Sequence, residues 1–195
     1  MLRLQLPTDP RWVNIVETNI GEILTDHAWC EQKAATNAIT IVTNNPNLSD
    51  LVTDMLAIAK EEIEHFDMVH ELIKKRGLTL GKERKDDYVG ELFGYMKQNL
   101  SGERDSGLVE RLLFSAMIEA RSCERFKVLS ENIKDEELAK FYRDLMESEA
   151  GHYTTFITHA RKYSHNIDVE KRWREWLDFE ASVIARYGKK ESIHG

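Results

Sequence analysis

Two short stretches of this chain put a carboxylate three residues ahead of an imidazole: Glu62-Ile63-Glu64-His65 and Glu149-Ala150-Gly151-His152. On a helix, that spacing puts both side chains on one face, which is what a metal ion requires of two ligands from one element. Spacing alone is weak evidence. Seven histidines and 34 acidic residues among 195 would give about one such pair by chance, and four occur. The other two are Asp67/His70 and Glu191/His194. His70 reads as a surface or packing residue, and Glu191/His194 as part of a short tail after Gly188.

Elements that could position such pairs are legible along the chain. Periodicity near 3.6 runs through almost all of it, without convincing strand alternation. Asp9-Pro10 is a helix start, and a helical stretch runs from there to about Thr43, with a break near Gly21. Asn44-Asn45-Pro46 ends it; Ser49 or Asn47 caps the next helix, which reaches about Arg76 and stops at Gly77. After a loop over 78–85, a shorter helix spans about Asp86 to Asn99. Asp105 caps a long helix to about Asn132, Asp135 starts another ending near Tyr163, and a last one runs from about Asp168 to Tyr187. The expected fold is all-α: a ferritin-like four-helix bundle with one long crossover and additional short helices, forming a single domain over 1–195.

Each Glu-x-x-His pair falls in the second helix of a predicted hairpin, and each first helix carries a matching glutamate, Glu31 or Glu119. With turns near residues 46 and 134, all four glutamates stand at a common depth of roughly 21–24 Å from their turns. Apolar stripes surround them: Ala28, Ala34 and Ala35 near Glu31; Ile58, Ala59, Phe66 and Val69 near Glu62. Ser115, Ala116 and Cys123 lie near Glu119; Leu145, Met146, Tyr153 and Phe156 lie near Glu149. An unpaired charge buried there would be very costly, and a metal ion offsets that cost. Four carboxylates and two imidazoles suit iron or manganese better than soft ions. One glutamate from each of two helices plus Glu-x-x-His from each of two others is the pattern of ferritin-like di-iron and di-manganese proteins. Glu61 and Ser148, each directly before a Glu-x-x-His glutamate, are candidates to orient a ligand histidine.

Composition sets outer bounds. At 42% hydrophobic and 31% charged, 195 residues suffice for one compact domain with a sizeable core. No apolar run is long enough to span a bilayer, and the first residues carry no long apolar stretch of a secretory signal. Cys30 and Cys123 suggest neither a disulfide framework nor a zinc site, read as small core residues, and point to a reducing cytoplasm. A net charge of −7 argues against a generic nucleic-acid binder, DNA included. Basic residues nevertheless concentrate at Lys74-Lys75-Arg76 with Lys82, Arg84 and Lys85, and at Arg161-Lys162 with Lys171, Arg172 and Arg174. On charge alone these are solvated helix ends.

A closer resemblance rests on four stretches: 26–35 (DHAWCEQKAA), 118–126 (IEARSCERF), 60–66 (KEEIEHF) and 148–153 (SEAGHY). Together they resemble the tRNA hydroxylase family that acts on 2-methylthio-N6-isopentenyladenosine beside the anticodon. The similarity covers most of the chain, including the closing Ile193-His194-Gly195. It implies a non-haem di-iron monooxygenase with Glu31, Glu62, His65, Glu119, Glu149 and His152 as ligands to two iron ions. One atom of O2 would enter a C–H bond of the isopentenyl group and the other would leave as water. Electrons would come from a separate reductase, since the chain carries no flavin, nicotinamide or iron–sulfur motif. A tRNA anticodon loop as substrate makes Arg84, Lys85, Arg172 and Arg174 candidate phosphate contacts. It makes Trp29, Trp173 and Trp176 candidate stacking surfaces, beside their ordinary reading as packing residues. Gly151 departs from the family, where a larger basic residue is expected; glycine there would permit a close approach or alter the substrate entrance.

Three other readings remain open at this point. A ferroxidase or iron store would need a shell that nothing in the sequence reveals. A di-manganese catalase keeps similar ligands. A metal-free helical bundle would carry these glutamates on its surface.

Overall fold

The computed structural model describes residues 2–100, 104–187 and 193, and these contain no strand. Among them are seven helices: α1 (Trp12–Thr18), α2 (Ile20–Asn44), α3 (Ser49–Lys75), α4 (Asp87–Gln98), α5 (Arg104–Asn132), α6 (Glu136–Lys162) and α7 (Val169–Tyr187). No helix among the described residues is long and apolar enough to cross a membrane. The expected pair of hairpins is present as α2/α3 and α5/α6, and the segment linking them carries α4.

Local chemistry explains most of the boundaries. Asp86, Asp135 and Asp168 each stand ahead of a helix and accept a hydrogen bond three residues on, from the amides of Val89, Leu138 and Lys171 at 2.9–3.0 Å. Helix α3 ends in a Schellman motif: Gly77 adopts φ +67°, its amide donates to the Lys74 carbonyl, and Leu78 donates to Ile73. Three expectations shift. The break after α1 falls at Asn19 (φ −131°), not at Gly21, because the Asn19 side-chain Nδ2 donates to the Ile15 carbonyl and competes with the helix ladder. Neither Ser49 nor Asn47 caps α3. Leu48 holds that position without a side-chain cap, and Asp50 in the first turn faces the positive helix end. Asp105 lies in the first turn of α5, not ahead of it.

Two compact units form. One contains Ile15–Lys85 together with Ile193. Its α2/α3 hairpin closes over Leu24, Ala28, Ala38 and Ile41 from α2 and Leu51, Met55, Ile58 and Val69 from α3, all buried. The loop over 78–85 runs back along α2. Trp29 Nε1 donates to the Gly81 carbonyl (3.0 Å), the Gly81 amide to Thr25 Oγ1 (3.2 Å), and Lys33 pairs with Glu83 (3.0 Å). The Ile193 amide donates to the buried Asp26 carboxylate at 2.8 Å.

The second unit holds the first residues through Asn14 and the chain from Asp86 onward through α7. Here α4 and α7 pack on α5, which forms the hairpin with α6. A fully buried Arg121 ties these parts together. It donates to Glu180 Oε1 (2.6 and 2.8 Å), to Glu124 Oε2 (2.9 Å) and to the Leu6 carbonyl (3.0 Å). Tyr88 adds a hydrogen bond to Glu180 (3.1 Å), and Thr8 donates to both Glu124 oxygens. Burial pushes the Glu180 carboxyl upward against the opposing pull of Arg121. A buried pair of this kind is costly to break one-sidedly. Arg121→Met should therefore lose about 3–5 kcal/mol in urea unfolding, while Arg121→Met/Glu180→Leu should recover a substantial part.

Candidate metal centre

The α2/α3 unit gathers three of the expected ligands. Glu31 on α2 and Glu62 and His65 on α3 are buried, and each offers a ligand atom within 4.8 Å of the others. His65 Nδ1 lies 3.5 Å from Glu62 Oε2 and 3.9 Å from Glu31 Oε2, beyond good hydrogen-bonding range. The α5/α6 unit repeats the arrangement. Glu119 on α5 and Glu149 and His152 on α6 are buried and offer ligand atoms within the same 4.8 Å limit. His152 Nδ1 lies 3.5 Å from Glu149 Oε2.

The physical origin of both sets is the same. Glu62/His65 and Glu149/His152 occupy core-facing positions of amphipathic helices, and the opposing helix of each hairpin supplies one glutamate at the same level. Two like charges held about 4 Å apart repel by about 4 kcal/mol at an effective dielectric of 20. A divalent ion reverses that sign. Oxygen and nitrogen ligands at about 2.0–2.2 Å from such an ion lie within about 4.4 Å of one another, close to the spacing seen. The donor set of each unit, two carboxylates and one imidazole, thus fits a hard-to-intermediate metal ion.

His27 was not anticipated as part of this site. It is completely buried one turn before Glu31, and its Nε2 lies 2.5 Å from Glu31 Oε1. Ionised Glu31 can only accept, so Nε2 carries the proton in this contact. The four-residue spacing from His27 to Glu31 was the available signal. Of the proposed orienting residues, Glu61 is exposed and Ser148 half-buried. Cys123, one turn after Glu119, hydrogen-bonds to the Met146 carbonyl, and burial with nearby Glu149 pushes its thiol up to about 11. It stays a protonated core residue at neutral pH. A groove of about 680 Å³ lies elsewhere on the hairpin, between exposed Ile39, Leu56 and Ile63, and none of the six ligand candidates lines it.

The profile of the tRNA-(MS2IO6A)-hydroxylase (MiaE) family matches residues 2–195. The chain belongs to this family. A Pseudomonas putida relative, tRNA 2-(methylsulfanyl)-N(6)-isopentenyladenosine(37) hydroxylase, is 34% identical over 86% of this chain and 80% of its own length. The protein of the same name from Salmonella typhimurium is 28% identical over 98% of this chain and 87% of its own. In structure the chain is similar to a Synechococcus protein with aldehyde deformylating oxygenase activity. The TM-score is 0.88 at 29% identity, covering 98% of this chain and 95% of that one. The all-α, ferritin-like fold expected for the tRNA-(MS2IO6A)-hydroxylase family is therefore the fold of this member.

Its basic and aromatic candidates separate by environment. Arg172 is committed inside its own unit: it pairs with Glu110 (2.5 Å), donates to Glu175 and Tyr95 (2.8 Å each), and lies over the Tyr95 ring. Those partners push its guanidinium pKa upward against burial. Trp176, fully buried, donates to Glu110, and Trp173 is buried beside Tyr153, so both pack helices. Trp29 is half-buried edge-to-face on Phe66, and His70 stacks on that ring. Lys85 and Arg174 are exposed, and Arg84 pairs with Glu22 (3.2 Å). Glu191 and His194 lie outside the described residues. Gly151 is exposed within α6, and a Cβ added there meets nothing within 4 Å, so no close approach accounts for it. Gly151→Ala should accordingly raise stability by up to about 1 kcal/mol, seen as a higher urea midpoint at unchanged m.

Proposed function

We propose that this hydroxylase is a di-iron monooxygenase that oxidises the isopentenyl group of 2-methylthio-N6-isopentenyladenosine next to the anticodon of tRNA. The observation that carries this reading is the duplicated, buried Glu plus Glu-x-x-His set, in a chain whose relatives are named for that reaction. The two units then act as one domain over 1–195. Glu31, Glu62 and His65 of one unit and Glu119, Glu149 and His152 of the other would hold the iron. When bound, an iron pair supplies O2 reduction with two electrons from an external reductase. One C–H bond and O2, with two electrons and two protons, become one C–OH bond and water.

The residues themselves contribute charge, position and dryness. Four carboxylates balance four positive charges of two ferrous ions, and two neutral imidazoles complete the set. Burial of all six keeps bulk water from competing for the oxidant. The chain works in the cytoplasm, where tRNA and reductants are available. Exposed Lys85 and Arg174 are phosphate contacts on this reading, while Arg172 is structural and Arg84 is shared with Glu22.

Metal analysis of protein purified without chelator should give about two irons per chain, with Glu119→Ala losing one or both and losing hydroxylation of undermodified tRNA. Full activity in that variant would sink the ligand set, and two manganese ions with catalase activity would favour the di-manganese alternative. Separately, Lys85→Glu and Arg174→Glu should each weaken tRNA binding and lower the salt slope by about 1. Arg172→Gln should instead act mainly on stability.

A further inference from the structure

Within the unit that holds α5, α6 and α7, a second cluster of polar groups has no part in the ligand sets. Arg161 stands in the last turn of α6 and Glu170 in the first turn of α7, each where the helix dipole favours its sign. Arg161 Nε and Nη2 both donate to Glu170 Oε1, at 2.8 and 2.5 Å. Arg3, from the first residues of the chain, brings a second guanidinium to within 3.7 Å of the other Glu170 oxygen, beyond hydrogen-bonding range. Beside them lies a cavity of about 150 Å³, which these three side chains line together with Tyr153 and Trp173. Trp173 is buried, and its Nε1–H has no acceptor among the described residues. The half-buried Tyr153 ring lies 5.8 Å from the Trp173 ring, and its hydroxyl is a further donor.

We propose that this cavity receives a backbone phosphate of the tRNA substrate, with Arg3, Tyr153 and Arg161 as its donors. The inference rests on the tRNA reading above and adds a contact on α6, where Tyr153 directly follows the candidate ligand His152. The cavity is lined from three parts of the chain: the N-terminal segment, α6 and α7. A tetrahedral phosphate accepts hydrogen bonds from several directions at once, whereas a carboxylate accepts within one plane. Guanidinium groups suit it, because they are always charged and present their donors as a rigid fork. The local charge points the same way. Two guanidiniums face one carboxylate, which leaves one positive charge in a chain whose net charge is −7. Glu170 holds Arg161 at the cavity and is the group with which a phosphate competes. A buried indole N–H without an acceptor is costly, so this wall carries a donor that helix packing alone does not satisfy.

The test measures binding of undermodified tRNA to the full-length protein at several salt concentrations, for wild type, Arg161→Gln, Tyr153→Phe and Glu170→Gln. Arg161→Gln should weaken binding by about tenfold and lower the salt slope by about 1. Tyr153→Phe keeps the ring and removes the hydroxyl, and should weaken binding about threefold at an unchanged salt slope. Glu170→Gln removes the competing carboxylate and should bind at least as tightly as wild type. A purely structural ion pair behaves otherwise: Arg161→Gln and Glu170→Gln would weaken binding alike and lower the urea midpoint alike, which overturns the proposal. If wild type does not bind tRNA, the tRNA reading fails and this contact with it. If wild type binds and all three variants match it, that reading stands and the cavity is no contact. Inorganic phosphate, titrated calorimetrically at constant ionic strength, separates the other source of the same chemistry. Loss of phosphate binding in Arg161→Gln with unchanged tRNA affinity would assign the cavity to a free anion and overturn the tRNA contact. Should Arg161→Gln not fold, Arg3→Gln carries the same charge test, and wild-type affinity and salt slope in that variant overturn the proposal.

Discussion

Four carboxylates held inside helical hairpins are the constraint on which the rest of this molecule depends. Glu31, Glu62, Glu119 and Glu149 are each 5% exposed or less. Ionised groups in such surroundings are tolerated only when paired with opposite charge. That requirement fixes the register of each hairpin, because the single glutamate of one helix must meet the Glu-x-x-His of its partner at one level. It also explains the strong punctuation at the helix ends. The Asp135 cap and the Schellman turn at Gly77 fix where α6 begins and α3 stops, and so how far their candidate ligands stand from those ends.

Buried charge takes two physically different forms here. Around Arg121 the signs alternate: guanidinium, carboxylates and hydroxyls meet at 2.6–3.1 Å, with the contacts to Glu180 all made at Oε1. Around Glu31/Glu62 and Glu119/Glu149 like charges converge; His65 and His152 stand 3.5 Å or more from their carboxylates, while His27 Nε2 lies 2.5 Å from Glu31 Oε1. The first arrangement rigidifies a fold, and the second is compatible with a cation. Both occur in one helix, where Glu119 and Arg121 are separated by a single residue and point to different surroundings. Burial of a charge does not by itself separate structural from functional residues; the sign of its neighbours does.

Much of this was legible in the sequence because it was local. Glu-x-x-His on one helix face, aspartates before helices and Asn44-Asn45-Pro46 between them are all written in adjacent residues. What could not be read depended on distant partners. Arg172 looked like a free cation until Glu110, 62 residues away, was seen to hold it. Trp173 and Trp176 were read as packing residues with stacking as a second candidate role, and helix packing buries both. The break at Asn19 instead of Gly21 turned on a side chain outcompeting the backbone, which intrinsic glycine propensity does not anticipate. His27 lies between these cases. Its spacing from Glu31 was visible, but a histidine four residues before a glutamate is common on solvated helices, and only complete burial of both makes the contact consequential.

The internal repeat shows what is shared and what is free to diverge. Aligning Glu31 with Glu119 matches Leu24 with Leu112 and Ala28 with Ala116, all fully buried. Aligning Glu62 with Glu149 likewise matches Ile58 with Leu145 and Val69 with Phe156 in the core. Apolar character survives around the ligands, because each carboxylate must emerge from a packed helix face at a set height. Beyond them the correspondence lapses: Ala38 answers to Phe126 and His27 to Ser115. The covering differs too, with a loop bound along α2 in one unit and helices α4 and α7 packed on α5 in the other. Core volumes thus match at some paired positions and differ at others, whereas the buried Glu plus Glu-x-x-His set recurs in both hairpins.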